Sequence, residues 1–169
     1  MATKKDIIAA GPFLIYIAKA GDKDVLAAIR TNTKAFNKLL KQIPRKKRKH
    51  AYATGKWTIK ELLQHMIDAE RVFAYRVLRT ARMDATPMPG FDENSWALAA
   101  NRIDRKWGEL VTEFKTVRAG TEMLFATLGK EELMFAGTAS NYPINALALG
   151  YVIAGHVQHH IEIIKERYL

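Results

Sequence analysis

Apolar residues recur at every third or fourth position over long stretches of this chain, and this pattern restricts the possible folds more than any other feature. Strand signals, meaning alternating apolar runs bounded by Asn-Gly or Asp-Gly, are nearly absent. Four amphipathic helices of about 20 to 30 residues with short to medium connections favour a bundle, so the sequence predicts an all-α four-helix bundle. Segments that contain Gly and Pro separate the predicted helices. They are GPF, PRKKRKHAYATGK, ATPMPGFDENS and AGTASNYP.

The first two predicted helices have clear apolar stripes and cap signals. The first runs from about Asp22 to Ile43, with Asp22 as its cap. The second begins near Thr58, and Thr58 followed three residues later by Glu61 is a capping-box pattern ahead of an apolar run. The expected stripes are Val25, Leu26, Ile29, Phe36, Leu39 and Leu40 in the first helix, and Ile59, Leu62, Leu63, Met66, Phe73 and Val77 in the second.

A polar cap and a proline mark the starts of the third and fourth predicted helices. The third runs from near Ser95 to Leu128, with Asn94 or Ser95 as its cap, and would be the longest unless a glycine bends it. The fourth follows Pro143, because proline is tolerated in a first helical turn, and continues to the C-terminus.

Length and composition fit a single globular domain over residues 1–169. The chain is 49% hydrophobic and 26% charged, and its apolar runs are shorter than the roughly 20 residues that span a bilayer. The apolar stretch near the N-terminus is interrupted by Asp6 and by Gly11-Pro12, so we expect no signal peptide. The absence of cysteine excludes disulfides, thiolate ligands and a cysteine nucleophile, and it fits a reducing compartment, so a cytoplasmic location is predicted.

A basic run, Arg45 to Lys49, is the densest part of a chain whose formal net charge is +10. Such runs match the pattern of nucleic-acid-binding patches, but they carry little specificity. No aromatic residues interleave with these cations to form a stacking platform. We therefore favour a solvated loop between helices, and nucleic-acid binding is not expected.

Three of the five histidines lie close together in the predicted fourth helix. His156 and His160 are one turn apart on its core side, whereas His159 points toward the flank. A pair with this spacing can bind one metal ion, but it can equally be two core histidines that are hydrogen-bonded to neighbouring groups. The spacing alone leaves both alternatives open.

A histidine in the second helix can complete the cluster. His65 lies at the edge of the apolar stripe, beside the small residue Ala69. If the second and fourth helices are neighbours, three imidazoles converge in the arrangement of a catalytic zinc site with an open position. Asp68 is a candidate catalytic residue that would orient a ligand or a bound water, and its alternative role is a solvated carboxylate on the helix surface.

Three stretches of the chain also carry a family resemblance. They are GKWTIKELLQHMIDAERVFAYR, the loop PMPGFDENSW and the terminal AGHVQHHIEIIKERYL. Together they resemble the DinB-like superfamily, also called DinB/YfiT-like proteins, from about Gly11 to the last residue. The resemblance implies a four-helix bundle of the DinB/YfiT-like type with up-down-down-up connections.

The same resemblance implies a divalent metal ion held by one histidine of the second helix and two of the fourth. By position these are His65, His156 and His160. Zinc or nickel is expected, with iron as a further candidate, because three nitrogen ligands suit several metals. The superfamily includes S-transferases and isomerases that use low-molecular-weight thiols, so the expected partners are a small-molecule substrate and such a thiol. A homodimer is also expected, through exposed apolar helix faces.

Two classes of function are favoured by these observations over a third, a binder of anionic surfaces or nucleic acid through Arg45 to Lys49. The first is a metal-dependent enzyme that acts on a small molecule by thiol S-transfer or hydrolysis, because a divalent ion bound by neutral imidazoles makes a water or a thiol easier to deprotonate. The alternative is a non-enzymatic bundle with a structural or incidental metal that acts through dimerisation or partner binding.

Loop residues Phe91, Asp92, Asn94 and Trp96 are candidates for the pocket mouth, and core packing is favoured for Trp96. Trp57 is expected to be structural.

Overall fold

The computed structural model describes residues 2–21 and 23–169. Within these ranges the regular structure consists of seven α-helices, one two-stranded antiparallel sheet and two short 3-10 turns at Lys4–Asp6 and Arg45–Lys47. The elements are α1 (Phe13–Lys19), α2 (Val25–Gln42), α3 (Ile59–Ala81), α4 (Glu93–Ala100), α5 (Trp107–Ala126), α6 (Lys130–Met134), β1 (Ala136–Ala139), β2 (Tyr142–Asn145) and α7 (Ala146–Arg167).

Helices α2, α3, α5 and α7 form the four-helix bundle that the sequence predicts. Helix α7 packs against both α2 and α3, and α5 packs against the same two helices from the other side. The second and fourth long helices, α3 and α7, are therefore neighbours. This adjacency is the condition on which the predicted three-histidine cluster depends.

Helix α7 is the most enclosed element. All of its first twelve residues are buried, because α1, α2, α3 and the hairpin cover it on several sides. A helix that is apolar around its whole circumference is typical of such a central position. Two apolar clusters meet along it: Ile153 and Ala154 belong to one, and Val157 and Ile161 belong to the other. His156 lies at this boundary.

The start of α3 confirms the predicted capping box. The Glu61 amide donates to Thr58 Oγ1 at 3.2 Å, and the Thr58 amide donates to the Glu61 carboxylate at 2.5 Å. All six predicted stripe residues of α3 are buried. At the start of α2 the cap is Asp24, whose carboxylate accepts from the Ala27 amide at 3.0 Å. Asp22, the cap expected from the sequence, lies outside the described residues.

The prediction of one long third helix from Ser95 to Leu128 is wrong. The chain forms a short helix, α4, and then a separate α5, with a break at residues 101–106. Charged side chains in the break hold it against α3, since Asp104 pairs with Lys60 and Arg105 donates to the Gln64 side chain at 3.0 Å. The cap of α4 is Asp92 rather than Asn94 or Ser95, and its carboxylate accepts from the Ser95 amide at 2.6 Å.

The expected start of the fourth helix at Pro143 is also wrong. Pro143 lies in strand β2, and α7 begins only after Asn145, whose side chain accepts from the Ala148 amide at 2.9 Å. The two strands are joined by Ser140 and Asn141, both with positive φ, as a two-residue hairpin turn of the primed type requires. This pair lacks the Asn-Gly signal, so the sequence pattern gave no hairpin.

Helix α1 lies directly on α7 and was not among the predicted helices. A Cβ atom on Gly155 would come within 1.7 Å of the Tyr16 carbonyl oxygen, so the glycine allows the two backbones to approach closely. This contact brings the Tyr16 ring over the middle of α7.

In the described residues, no helix is both long and apolar enough to cross a membrane.

The basic run forms an exposed connection between α2 and α3. Arg48 stacks over the Trp107 ring at 4.9 Å, and Lys49 lies 3.6 Å from the carboxylate of Asp104. Part of the run therefore packs against the start of α5 and the segment before it. Lys46 is exposed to solvent.

Candidate metal centre

Three histidine side chains from α3 and α7 converge on one point. The Nε2 atom of His156 lies 3.2 Å from Nε2 of His65 and 3.0 Å from Nε2 of His160. One ring nitrogen from each of the three side chains lies within 4.8 Å of the others. In the described chain, no fourth His, Cys, Asp or Glu side chain joins this group.

Helical spacing and helix packing together produce the cluster. His156 and His160 are one turn apart on the same face of α7, and both are buried. Helix α3 packs along that face and contributes His65, whose ring centre lies 5.2 Å from each of the other two rings. His159, on the flank of α7, is only partly buried and does not belong to the group.

The surroundings keep the three imidazoles neutral. Burial lowers the pKa of His65 from its ordinary 6.5 to about 4, with the nearby carboxylate of Glu93 acting in the opposite direction. Burial, followed by the charges of neighbouring histidines, holds the pKa values of His156 and His160 well below the ordinary value. Neutral imidazole is the form that binds metal ions, so these shifts favour ligation at neutral pH.

The donor set fits a divalent metal ion. Two nitrogens bound to one tetrahedral zinc ion at about 2.0–2.1 Å each lie roughly 3.3 Å apart, close to the two short separations around His156. Nδ1 of His160 is enclosed and has no hydrogen-bond partner in the described chain. The 3.0 and 3.2 Å separations are also within hydrogen-bond distance, so the alternative of hydrogen-bonded core histidines is separated from a metal site by measuring metal content.

The cluster lies in the wall of a cavity of about 380 Å³, which we call the metal cavity. A metal ion held by these three side chains would keep an open position toward the cavity, as in catalytic sites, whereas structural sites are closed by a fourth protein ligand. The other side chains that line this cavity come from α1, the loop before α3, α3, α4, the hairpin and α7. They are Pro12, Phe13, Tyr16, Trp57, Ala69, Phe73, Arg76, Phe91, Glu93, Ser140 and His159.

Two of these lining groups can exchange protons close to the histidines. The Tyr16 ring lies 5.2 Å from that of His156, and burial together with the charge of Glu93 raises the pKa of its hydroxyl. Glu93 opens α4 and is exposed to solvent. Neither residue was selected from the sequence, although Glu93 stands between the predicted loop residues Asp92 and Asn94.

Asp68, the predicted catalytic residue, is close to the cluster in sequence but faces a different cavity. Its carboxylate accepts from the Gln64 side chain at 3.0 Å and lies 3.8 Å from the Arg71 guanidinium. Burial raises its pKa. It lines a neighbouring cavity of about 420 Å³, together with Arg76 and Phe91, which also line the metal cavity.

The aromatic loop residues have mixed outcomes. Phe91 lines the metal cavity, as predicted for the pocket mouth. Trp96 is 44% exposed and packs on Phe91 at 4.7 Å between ring centres, so the expectation of core packing is wrong. Trp57 anchors the chain end, since its carbonyl accepts from the Tyr168 hydroxyl at 2.6 Å, but its ring also lies 4.8 Å from that of His65.

Arg76 is a cavity residue that the sequence analysis missed although a signal was present. Residues 65, 69, 72 and 76 follow one another at steps of four, three and four, so they lie on one face of α3. The row that contains His65 and Ala69 therefore leads to Arg76. Ser140 had no comparable signal, because its place depends on the hairpin.

Comparison with known proteins places these observations in a family. The family model of the DinB superfamily matches residues 28–164, whereas no curated protein matches the chain. The solved structure of YfiT from Bacillus subtilis superposes with a TM-score of 0.70 at 16% sequence identity, over 98% of this chain and 87% of that chain. YfiT is described as a probable metal-dependent hydrolase with an unusual four-helix bundle topology. The likeness confirms the predicted four-helix bundle fold.

Proposed function

The chain belongs to the DinB superfamily, and from this membership and the site geometry we propose that it is a divalent-metal-dependent enzyme acting on a small molecule. The observation that carries the proposal is the convergence of three neutral imidazoles beside an accessible cavity. The description of YfiT as a probable metal-dependent hydrolase agrees with it. The reaction is hydrolysis or the transfer of a low-molecular-weight thiol.

His65, His156 and His160 are the proposed metal ligands. Zinc or nickel fits a set of three nitrogens, and iron is a further candidate. A divalent ion in such a site lowers the pKa of water or of a thiol and polarises an electrophile. The chain has no cysteine, so a thiol nucleophile comes from a cosubstrate.

The protein groups around the histidines would then bind the substrate and move protons. Glu93 and Tyr16 are the groups placed to accept or donate a proton within the cavity. Phe13, Phe73 and Phe91 provide apolar walls that exclude water from the reacting atoms. Asp68, proposed as a catalytic residue, would act through the side chains of Gln64 and Arg71 that it contacts.

The proposal is tested by comparing metal-depleted and metal-reloaded protein in two assays. One follows hydrolysis of p-nitrophenyl acetate, and the other follows conjugation of glutathione or cysteine to 1-chloro-2,4-dinitrobenzene. We expect activity in at least one assay, lost on chelation and restored by zinc or nickel. His156→Ala should be inactive, whereas the exposed His50→Ala should be unaffected. Activity that survives chelation, or that His156→Ala retains, would contradict the proposal.

A homodimer remains part of the proposal. Leu98, Ile103 and Met123 are each more than 70% exposed, which is unusual for large apolar side chains and provides contact surface for a second copy. Light scattering on the purified protein distinguishes a dimer of about twice the 19.1 kDa chain mass from a monomer. The cytoplasmic location also stays a prediction, which cell fractionation can check.

A further inference from the structure

Arg76 is a buried cation without a carboxylate partner. Its exposed fraction is 2%, and within the described residues it forms no ion pair. The other fully enclosed arginine, Arg118, pairs with Glu70 at 2.8 Å. Burying a charge is unfavourable unless it is paired, so an unpaired guanidinium inside the protein needs an explanation.

Only part of the guanidinium is occupied by protein groups. Nη2 donates to the Pro89 carbonyl at 2.7 Å and to Ser140 Oγ at 3.0 Å. In the described part of the chain, Nε and Nη1 have no protein acceptor, and neither atom is fully enclosed, so both face open space. Both protein acceptors are uncharged, so the positive charge of Arg76 is not neutralised by the residues that hold it.

Arg76 lies in the wall between two cavities. It lines the metal cavity of about 380 Å³ and the neighbouring one of about 420 Å³. Phe91 also lines both, and Val72, Met88 and Trp96 make the neighbouring cavity largely apolar. A ligand that contacts Arg76 can therefore reach toward the histidines on one side and place an apolar group on the other.

The remaining charges around these cavities have their own partners or lie at the solvent edge. Arg71 and Asp68 are 3.8 Å apart, and Arg71 also pairs with Glu113 at 2.6 Å. Glu93 is exposed at the start of α4. Arg76 is thus the enclosed cation that is available to an anion.

We propose that Arg76 binds the anionic group of the substrate, and that the substrate is a small carboxylate or related oxyanion that carries an apolar portion. The inference rests on the proposed function, because the reacting bond would lie on the histidine side of Arg76. Charge-assisted hydrogen bonds from a buried guanidinium are strong and orient the bound group, so Arg76 would select anionic over neutral substrates.

A purely structural role is the competing explanation. Through Pro89 and Ser140, Arg76 ties α3 to the loop before α4 and to the hairpin, and Ser140 has a positive φ of 50°. A tether of this kind would not distinguish an anion from a neutral molecule of the same shape. Comparing the binding of an anion with that of a neutral molecule of similar shape therefore separates the two roles.

The test is calorimetric titration of the full-length protein with benzoate, phenylphosphonate and the neutral benzamide, before and after chelation of metal. We expect one of the two anions to bind at least 10-fold more tightly than benzamide, and the stronger anion identifies the preferred oxyanion. The preference should persist after chelation and disappear in Arg76→Gln. The control Arg79→Gln, on the same helix and outside both cavities, should retain it.

Three results would overturn the proposal. The anions and benzamide could bind equally well, or the preference for anions could survive in Arg76→Gln. The preference could also vanish when the metal is removed. If Arg76→Gln does not fold, the Nε–H NMR signal of Arg76 in the unsubstituted protein provides the readout, and it must shift with the anion and not with benzamide. Anion selectivity in a protein that binds no metal would retain this inference and remove the proposed function.

Discussion

The Nε2 atoms of His65 and His156 lie 3.2 Å apart although 91 positions separate the two residues in the chain. Only the packing of α3 against α7 brings them together, so an unfolded chain cannot present the same site. Metal binding by these histidines would therefore be coupled to the stability of the bundle.

Metal binding should stabilise the folded protein. A ligand that binds only the native state raises the free energy of unfolding by about 2.7 kcal/mol at 100 times its dissociation constant. We expect zinc or nickel added to metal-depleted protein to raise the thermal unfolding midpoint by several degrees. His156→Ala should show no rise. A similar rise in that variant would indicate binding elsewhere.

Acid should destabilise the metal-free protein. His65 takes up a proton at a pKa of about 4 in the fold and at about 6.5 when unfolded, so between these values the unfolded chain binds more protons. The free energy of unfolding should be constant above pH 6.5 and fall by up to about 3 kcal/mol toward pH 4, with His156 and His160 acting in the same direction. Urea titrations at several pH values measure this. His65→Gln should show a smaller fall than the wild type, because His156 and His160 still contribute, and an unchanged wild-type stability at pH 4.5 would disprove the expectation.

A methyl group at Gly155 should separate α1 from α7. Its Cβ would lie 1.7 Å from a backbone oxygen of Tyr16, which cannot move without moving α1. We expect Gly155→Ala to lower the free energy of unfolding by about 1–3 kcal/mol or more. The matched control is Gly120→Ala in α5, where no atom lies within 4 Å and alanine should add about 0.5–1 kcal/mol. Equal effects of the two changes in urea titrations would contradict the close approach of α1.

The enclosed ion pair between Arg118 and Glu70 should matter more than an exposed one. Glu70→Gln leaves Arg118, which is fully buried, without its counter-charge, and we expect a loss of about 3–5 kcal/mol. The same change at Glu113, which pairs with Arg71 and Arg105, both partly exposed to solvent, should cost less, about 1 kcal/mol. Urea unfolding of both variants measures the difference. Similar losses would show that Glu70 contributes through shape and not through charge.

Local spacing was sufficient to predict that the chain forms a four-helix bundle and that His156 and His160 share a face of the last helix. Thr58 and Glu61 form their capping box from neighbours in sequence, and His156 and His160 share a face because four residues make about one turn. His65 was a candidate from its place at the edge of the apolar stripe of the second helix, and the family resemblance then implied the same three histidines. These features depend on interactions within one helix or on the packing of two.

Features set by contacts between distant segments were missed. The break before Trp107 is held by the pairing of Asp104 with Lys60 on another helix, and α1 is positioned through Gly155. The hairpin at Ser140 and Asn141 lacks a glycine to mark it. Tyr16 and Ser140 reach the cavity only through these elements, so periodicity along the chain could not assign them to the site.

Metal content gives the sharpest test of the three-histidine site. Protein purified without a nickel column should contain about one divalent ion per chain by inductively coupled plasma mass spectrometry, and His50→Ala should contain the same amount. His65→Ala and His156→Ala should each contain almost none. Metal-free wild-type protein that takes up no zinc or nickel, or full metal content in His65→Ala, would contradict the site.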